Sequence, residues 1–174
     1  TELRVISFNV RCLNNPVKRL SILSLLEAAE GDICLLQETH LLSRDTLCLR
    51  SGRFPIQLFS SGSKKTVGIA ILVSKRFKGT LGQKVAEIKG RLLAYRIQLG
   101  GRSLMIASVY APNAGQEAFI FQANAAMAHS QDDCLLLGGD LNMVFNNDLD
   151  RSAQRMGQTG ELSGVGAREM QELG

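Results

Sequence analysis

Short apolar runs that close on a polar side chain recur along this chain. Val5-Ile6-Ser7-Phe8 runs into Asn9, Ile33-Cys34-Leu35-Leu36 into Gln37-Glu38-Thr39-His40, and Cys134-Leu135-Leu136-Leu137 into Gly138-Gly139-Asp140-Leu141-Asn142. Runs of this length read as buried strands. Three of them ending on Asn9, Glu38 and the Asp140/Asn142 pair imply one site built from three strand ends, where a rigid core holds polar tips that loops leave open to solvent.

Between these runs the period changes. Asn14-Asn15-Pro16 predicts a helix to about Glu30, with Asn15 as cap and Pro16 in the first turn. Val17, Leu20, Leu23 and Leu26 recur at three-residue spacing beside Ile22, Leu25 and Ala29, a broad apolar face fit to lie on a sheet. A short helix near 44–50, a strand near 56–59 and a Ser/Gly/Lys loop at 60–65 follow. From Val67 to Val73 the larger Val67, Ile69, Ile71 and Val73 face one way and Gly68, Ala70 and Leu72 the other, which predicts a strand covered on both faces. Strands continue at 85–88, 92–99 and 103–110, and Gly100-Gly101 forms a tight hairpin turn that brings in antiparallel pairing. A second helix from about Gln116 to His129 sets Ala118, Phe121, Ala125 and Ala128 along one side. Beyond Asn142 the pattern thins, with a polar, Gly-rich stretch at 146–166 and a short helix at about 167–173. Strands and helices in this order predict one layered α/β domain over residues 1–174. The chain begins without methionine and stops just after the last helix, so it reads as excised from something longer.

Composition narrows the class. The 174 residues are 45% apolar, enough for one domain with a real core. No apolar run is long enough to span a bilayer and the first 30 residues lack a signal-peptide pattern, so no membrane partner is expected and the predicted setting is soluble and intracellular. Cys12, Cys34, Cys48 and Cys134 show no C-x-x-C spacing, and Cys34 and Cys134 are predicted to pack as small hydrophobes in apolar strands. Zinc is disfavoured, because His40 and His129 lie near no cysteine pair. Net charge is +4, unevenly spread: residues 1–60 carry 7 basic and 6 acidic side chains, 61–105 carry 10 and 1, and 106–174 carry 3 and 9. The basic middle segment, with Lys64, Lys65, Lys75, Arg76, Lys78, Lys84, Lys89 and Arg91, can face a polyanion such as nucleic acid or be a solvated surface balancing the acidic last third.

Glu38 and Asp140 are hard oxygen donors, and Asn9 and Asn142 add amides. Such a set suits Mg²⁺ or Mn²⁺ better than softer metals, and a divalent ion there polarises a phosphoryl oxygen and lowers the pKa of bound water. Phosphoester hydrolysis is the chemistry that follows, against the reading that each is a turn residue closing a strand. Competing motifs are absent: there is no G-x-S-x-G elbow and no phosphate-binding G-x-x-x-x-G-K-[ST] loop, and Gly164-Val165-Gly166 reads as a turn. His40 reads as an orienting or packing residue rather than a general base.

Five ordered motifs together carry a resemblance: Ile6-Ser7-Phe8-Asn9, Gln37-Glu38-Thr39-His40, Val67-Gly68-Ile69-Ala70-Ile71-Leu72, Val109-Tyr110-Ala111-Pro112-Asn113 and Gly139-Asp140-Leu141-Asn142. The chain resembles the endonuclease/exonuclease/phosphatase superfamily. Within it, Gln37 to Leu41, Tyr110 to Asn113 and Leu149 to Ser152 are similar to the apurinic-type endonuclease domain of non-LTR (LINE-type) retrotransposons. The resemblance implies an α/β fold, a DNase I-like four-layer α/β sandwich of mixed sheets lacking its C-terminal strands. It implies a Mg²⁺-dependent endonuclease, with Mn²⁺ as substitute, that nicks double-stranded DNA in the nucleus and leaves a 3′-hydroxyl for a covalently linked reverse transcriptase. By resemblance Glu38 holds the metal with Asn9 beside it, Asp140 orients or activates water, Asn142 supports it and the phosphate, and the Tyr110 hydroxyl bonds the scissile phosphate. Asn113 and Arg151 match positions that approach DNA.

Family members continue into further strands and an ending whose Asp and His share in catalysis. Nothing after Arg168 supplies them, so this chain by itself is expected to be nearly inactive, with an uncovered sheet that invites pairing into a homodimer. Two alternatives accompany this reading: a catalytically silent DNA-binding or interaction module, and a superfamily phosphatase or phosphodiesterase acting on small phosphoesters.

Overall fold

The computed structural model describes residues 2–49, 51–128 and 134–143. One unit spans Thr1–Asn142; a second, Met143–Gly174, falls outside the described residues except for Met143. The polar stretch at 146–166, the helix expected at 167–173, His129 and Arg151 therefore lie outside them.

Among the described residues, eight strands form two four-stranded sheets. The first contains β1 (Val5–Asn9), β2 (Ile33–Gln37), β3 (Ile56–Ser60) and β4 (Ile69–Val73) in the order β1-β2-β4-β3. Strands β1 and β2 run parallel, while β4 is antiparallel to both β2 and β3. The second sheet contains β5 (Thr80–Ile88), β6 (Leu92–Leu99), β7 (Arg102–Tyr110) and β8 (Cys134–Asp140) in chain order, antiparallel except for the parallel β7–β8 pair. Gly100 and Gly101, both at positive φ (59° and 79°), turn the β6–β7 hairpin as their sequence predicts. Helix α1 (Pro16–Ala28) and a 3₁₀ helix at Ser43–Leu49 belong to the first sheet's outer side, and α2 (Gln116–Met127) to the second's.

Strand parity builds the layers. Ile33 and Leu35 of β2 and Ile69, Ile71 and Val73 of β4 face inward, against Leu93, Ile97 and Ile106 of the second sheet. Cys34, Leu36, Ala70 and Leu72 face outward beneath Leu23 and Leu26 of α1, with Leu49 and Phe54. The two-sided burial expected from Val67 to Val73 is thus what β4 displays, all five of its residues being buried.

Both helices bury less than their sequences predict. Asn15 caps α1 as expected, its side chain accepting from the backbone N–H groups of Val17 (2.8 Å) and Lys18 (3.3 Å). Only Leu23 and Leu26 of α1 are buried; Val17, Leu20 and Leu25 are exposed. The apolar positions wrap too far around the helix for one flat sheet to cover them all. In α2 the side turned to the sheet is Phe119, Ala123 and Met127, whereas Ala118, Phe121, Ala125 and Ala128 are exposed. That correction has a simple cause: a helix rich in Ala with Phe on two faces has little polar contrast, so packing chooses the face. Cys134 is likewise exposed rather than packed, because among the described residues β8 is an edge strand with a neighbour on one side, and Leu135 and Leu137 share its exposure. Cys34, in the centre of β2, does pack, and burial pushes its thiol up to about 12.

Antiparallel topology also divides the basic segment. Lys75 and Arg76 follow the end of β4 that pairs with the start of β2, while Lys64 and Lys65 precede its other end and Lys89 and Arg91 lie in the β5–β6 turn. Arg76 pairs with Glu30 (2.5 Å) and Lys84 with Glu87 (2.6 Å). One continuous basic face is therefore not formed; only Lys64, Lys65, Lys89 and Arg91 reach the end where β1, β2, β7 and β8 finish.

Candidate active site

Six strands, β1, β2, β3, β5, β7 and β8, finish at one end of the sandwich. The register sets Asn9 beside Gln37 and Tyr110 beside Asp140, so each sheet delivers a parallel pair of strand ends to the same edge. Asn9 Nδ2 donates to Glu38 Oε1 (2.8 Å) and to Asp140 Oδ2 (3.0 Å), joining the two sheets through one amide nitrogen. The Asn9 side-chain oxygen, Oδ1, accepts from the Arg11 backbone N–H (3.1 Å). The other Asp140 oxygen, Oδ1, accepts from the Asn142 backbone N–H (3.0 Å), so the carboxylate is held at both ends.

Tyr110 closes the group. Its side chain is buried; burial first, and then the nearby Glu38 charge, push the phenol above its ordinary value, with Arg91 opposing. The group therefore remains a protonated phenol, a hydrogen-bond donor, throughout the neutral range. His40 Nε2 lies 3.8 Å from the second Glu38 oxygen, beyond hydrogen-bond distance but close enough to form an ion pair when protonated.

Local backbone geometry is unusual here. Glu38, His40 and Asn142 all have left-handed φ (54°, 55° and 48°), each costing about 1–3 kcal/mol unless the surroundings hold it. Backbone bonds from Cys12 to the Glu38 carbonyl (2.6 Å) and from Leu13 to the Thr39 carbonyl (2.9 Å) hold the first turn. Gly139, at φ 157°, has its α-carbon against β7: a Cβ there would lie 2.0 Å from the Val109 carbonyl oxygen, so no other residue fits.

Several supporting residues were not legible in the sequence. Asn142 Nδ2 donates to the Ala111 carbonyl (2.6 Å), and Gln116 Nε2 donates to the carbonyls of Asn113 (2.7 Å) and Asn142 (3.1 Å), tying the turn after β7 to the one after β8. Arg91 stacks over the Tyr110 ring at 4.7 Å and donates to the Ala111 carbonyl (3.2 Å). A lone Gln at a helix start and an Arg in a hairpin turn carry no sequence signal for such roles. Of the residues singled out beforehand, Asn9, Glu38, Tyr110, Asp140 and Asn142 come together; Asn113 is exposed on the adjoining turn, and Arg151 lies outside the described residues.

The donor set fits a hard divalent cation. Two carboxylates from different sheets converge on one NH₂ group, which marks a point where both offer anionic oxygen.

Two stacked mixed sheets flanked by helices, with acidic and amide side chains at the strand ends, define an α/β DNase I-like sandwich. The sequence matches the Endonuclease/Exonuclease/phosphatase family over residues 6–163, and the chain belongs to that family. It is 30% identical over 150 residues to the Transposon TX1 uncharacterized 149 kDa protein of Xenopus laevis, covering 83% of this chain and 11% of that protein. Among solved structures it is similar to a humanized TDP2 of D. rerio (TM-score 0.65, 18% identity, 84% of this chain and 64% of that one). It is also similar to the endonuclease domain of TRAS1, a telomere-specific non-LTR retrotransposon (TM-score 0.61, 18% identity, 82% and 62%). The chain thus spans about a tenth of its curated relative and under two thirds of these two structures.

Proposed function

We propose that this domain is the DNA-nicking endonuclease of a LINE-type retrotransposon protein, acting on double-stranded DNA in the nucleus with Mg²⁺ or Mn²⁺. The observation that carries the reading is the single Asn9 nitrogen shared by Glu38 and Asp140, which sets two acids from two sheets about one point. The transposon relative and the TRAS1 domain support a nucleic-acid substrate over a small phosphoester.

In this reading Glu38, with Asn9 beside it, holds the metal, which supplies charge neutralisation at the phosphate. Asp140, fixed by Asn9 and by the Asn142 N–H, orients the attacking water and accepts its proton. Tyr110, kept protonated, donates to a phosphoryl oxygen, and the Asn142 amide supports the phosphate. The water oxygen bonds to phosphorus as the P–O3′ bond breaks, and O3′ takes a proton from solvent, leaving a 5′-phosphate and a 3′-hydroxyl that a linked reverse transcriptase extends. Asn113 and Arg151 contact DNA.

The test is nicking of supercoiled plasmid with Mg²⁺ by this chain and by a longer protein that contains it, each beside its Asp140→Ala form. Nicking by the longer protein that Asp140→Ala lowers by about 10²–10⁴-fold supports the assignment. DNA binding with no cleavage by either would support a silent binding module instead, and hydrolysis of small phosphoesters with intact plasmid would support the phosphatase reading.

A further inference from the structure

One pleat beneath the site lies a polar layer that the chemistry above does not use. Gln37, the last residue of β2, is only 1% exposed, and its side chain points inward between the sheets like Ile33 and Leu35 before it. Its Nε2 lies within hydrogen-bond distance of the Leu35 carbonyl (2.9 Å), the Ser108 hydroxyl on β7 (3.2 Å) and the Ser7 hydroxyl on β1 (3.3 Å), so its two N–H groups are shared among three acceptors. A carbonyl can only accept, so the contact with Leu35 sets which end of the amide faces these groups. Ser108 is fully buried, so Gln37 and Ser108 form a polar pair between the two sheets, a second cross-sheet pair beside Ser60 of β3 and Glu87 of β5 (2.8 Å).

The positions in sequence give this layer its meaning. Ser7 stands two residues before Asn9, Gln37 one before Glu38, Ser108 two before Tyr110, and Gly138 two before Asp140. Gly138 completes the layer because a Cβ there would lie 2.7 Å from Leu35 Cδ1 and 3.1 Å from Ser7 Cβ, so the second sheet can approach the first this closely only at glycine. Asn9, Glu38, Tyr110 and Asp140 therefore each follow a residue of this layer within two positions on the same strand or its end. The site is split between sheets, with Asn9 and Glu38 on the first and Tyr110, Asp140 and Asn142 on the second. Stacked sheets held by apolar contacts alone can slide by fractions of an ångström, because such contacts have no direction. Hydrogen bonds do have one.

We infer that Gln37 is a positioning residue: its amide ties Ser7 and Ser108 across the two sheets, setting the distance from Glu38 to Asp140 and Tyr110 and bracing the left-handed backbone at Glu38. The inference concerns the same site as the proposed function, and the direct readout requires neither cleavage nor metal. It is the exchange rate of the Asn9 side-chain amide protons, observed by ¹⁵N NMR on the 174-residue chain, since that amide donates to both carboxylates only while the sheets are in register. Gln37→Met keeps the bulk and removes the donor; Ser108→Ala removes the cross-sheet bond alone and tests the inference even if Gln37→Met does not fold. Ile97→Val, in the same inter-sheet core, is the control for general loosening.

The expected result is Asn9 exchange at least about tenfold faster in Gln37→Met and Ser108→Ala, with Ile97→Val at the parent rate, and Mn²⁺ binding weakened about tenfold in the first two only. Asn9 exchange unchanged in both variants, or raised equally in Ile97→Val, overturns the inference and leaves Gln37 a packing residue. A parent chain that binds no Mn²⁺ counts against the proposed function, while the Asn9 readout still decides the role of Gln37.

Discussion

The two ends of this sandwich carry similar side chains and put them to different use. At the end where β2 begins, Arg4, Glu30 and Arg76 form ion pairs at 3.3 and 2.5 Å with side chains roughly half exposed. At the end where β2 finishes, Glu38 and Asp140 share one amide nitrogen, and Tyr110 is buried against them. Water screens the first cluster and leaves each pair free to re-form with other partners. The second cluster has its geometry set by strand ends, left-handed turns and a buried layer below. Close polar contacts make a site only where the fold prevents them from relaxing.

Substitutions at the two ends should separate accordingly. The largest effect is expected for Glu38→Gln in a nicking-competent longer protein: plasmid nicking falls by about 10²–10⁴-fold while the thermal midpoint stays the same or rises, because one of two facing carboxylates has been neutralised. A large fall in the midpoint would mean that Glu38 is structural and would erase the contrast between the ends.

Tyr110→Phe comes next, with nicking reduced about 10–10²-fold at neutral pH. It carries a pH signature as well. A phenol whose folded pKa is raised contributes stability that is present below the unfolded value and lost as pH rises through the folded one. Melting curves of the 174-residue chain from neutral to strongly alkaline pH should therefore decline less steeply in Tyr110→Phe than in the parent; equal slopes would remove the buried-phenol account.

The smallest effect belongs to Glu30→Gln. The Arg76 hydrogen bond and charge lower the Glu30 carboxyl, so whatever it adds is present above the ordinary glutamate range and lost as pH falls through the depressed folded value. With the group half exposed at the surface, no change in melting temperature is expected at physiological salt, and any loss seen at low salt near neutral pH should vanish in acid. A marked loss at physiological salt would make the two ends alike.

What could be read beforehand depended on contrast. The bounds of β2 and β6 were readable because each apolar run stops at a polar or glycine-bearing turn, and Asn15-Pro16 marks the start of α1 through capping chemistry local to a few residues. The buried side of α2 was not readable, since Ala118 and Ala123 look alike until a sheet chooses between them. Edge and centre strands also look alike in sequence, so Cys134 in β8 and Cys34 in β2 were read the same way and fare differently. The basic segment appeared as one feature because chain order is linear; the antiparallel reversal at β4 sends Lys64 and Lys75 to opposite ends.

The amino-acid sequence by itself determined that Asn9, Glu38, Tyr110 and Asp140 would stand at strand ends, because burial of the apolar runs before them drives the strands and leaves their polar tips at the rim. The tertiary structure alone decided that one Asn9 nitrogen would serve both acids and that Gln37 would reach Ser108 from the opposite sheet. Those contacts span 29 to 131 residues, and their geometry depends on how closely two sheets stack, which the packing of the whole inter-sheet core sets and no local pattern encodes.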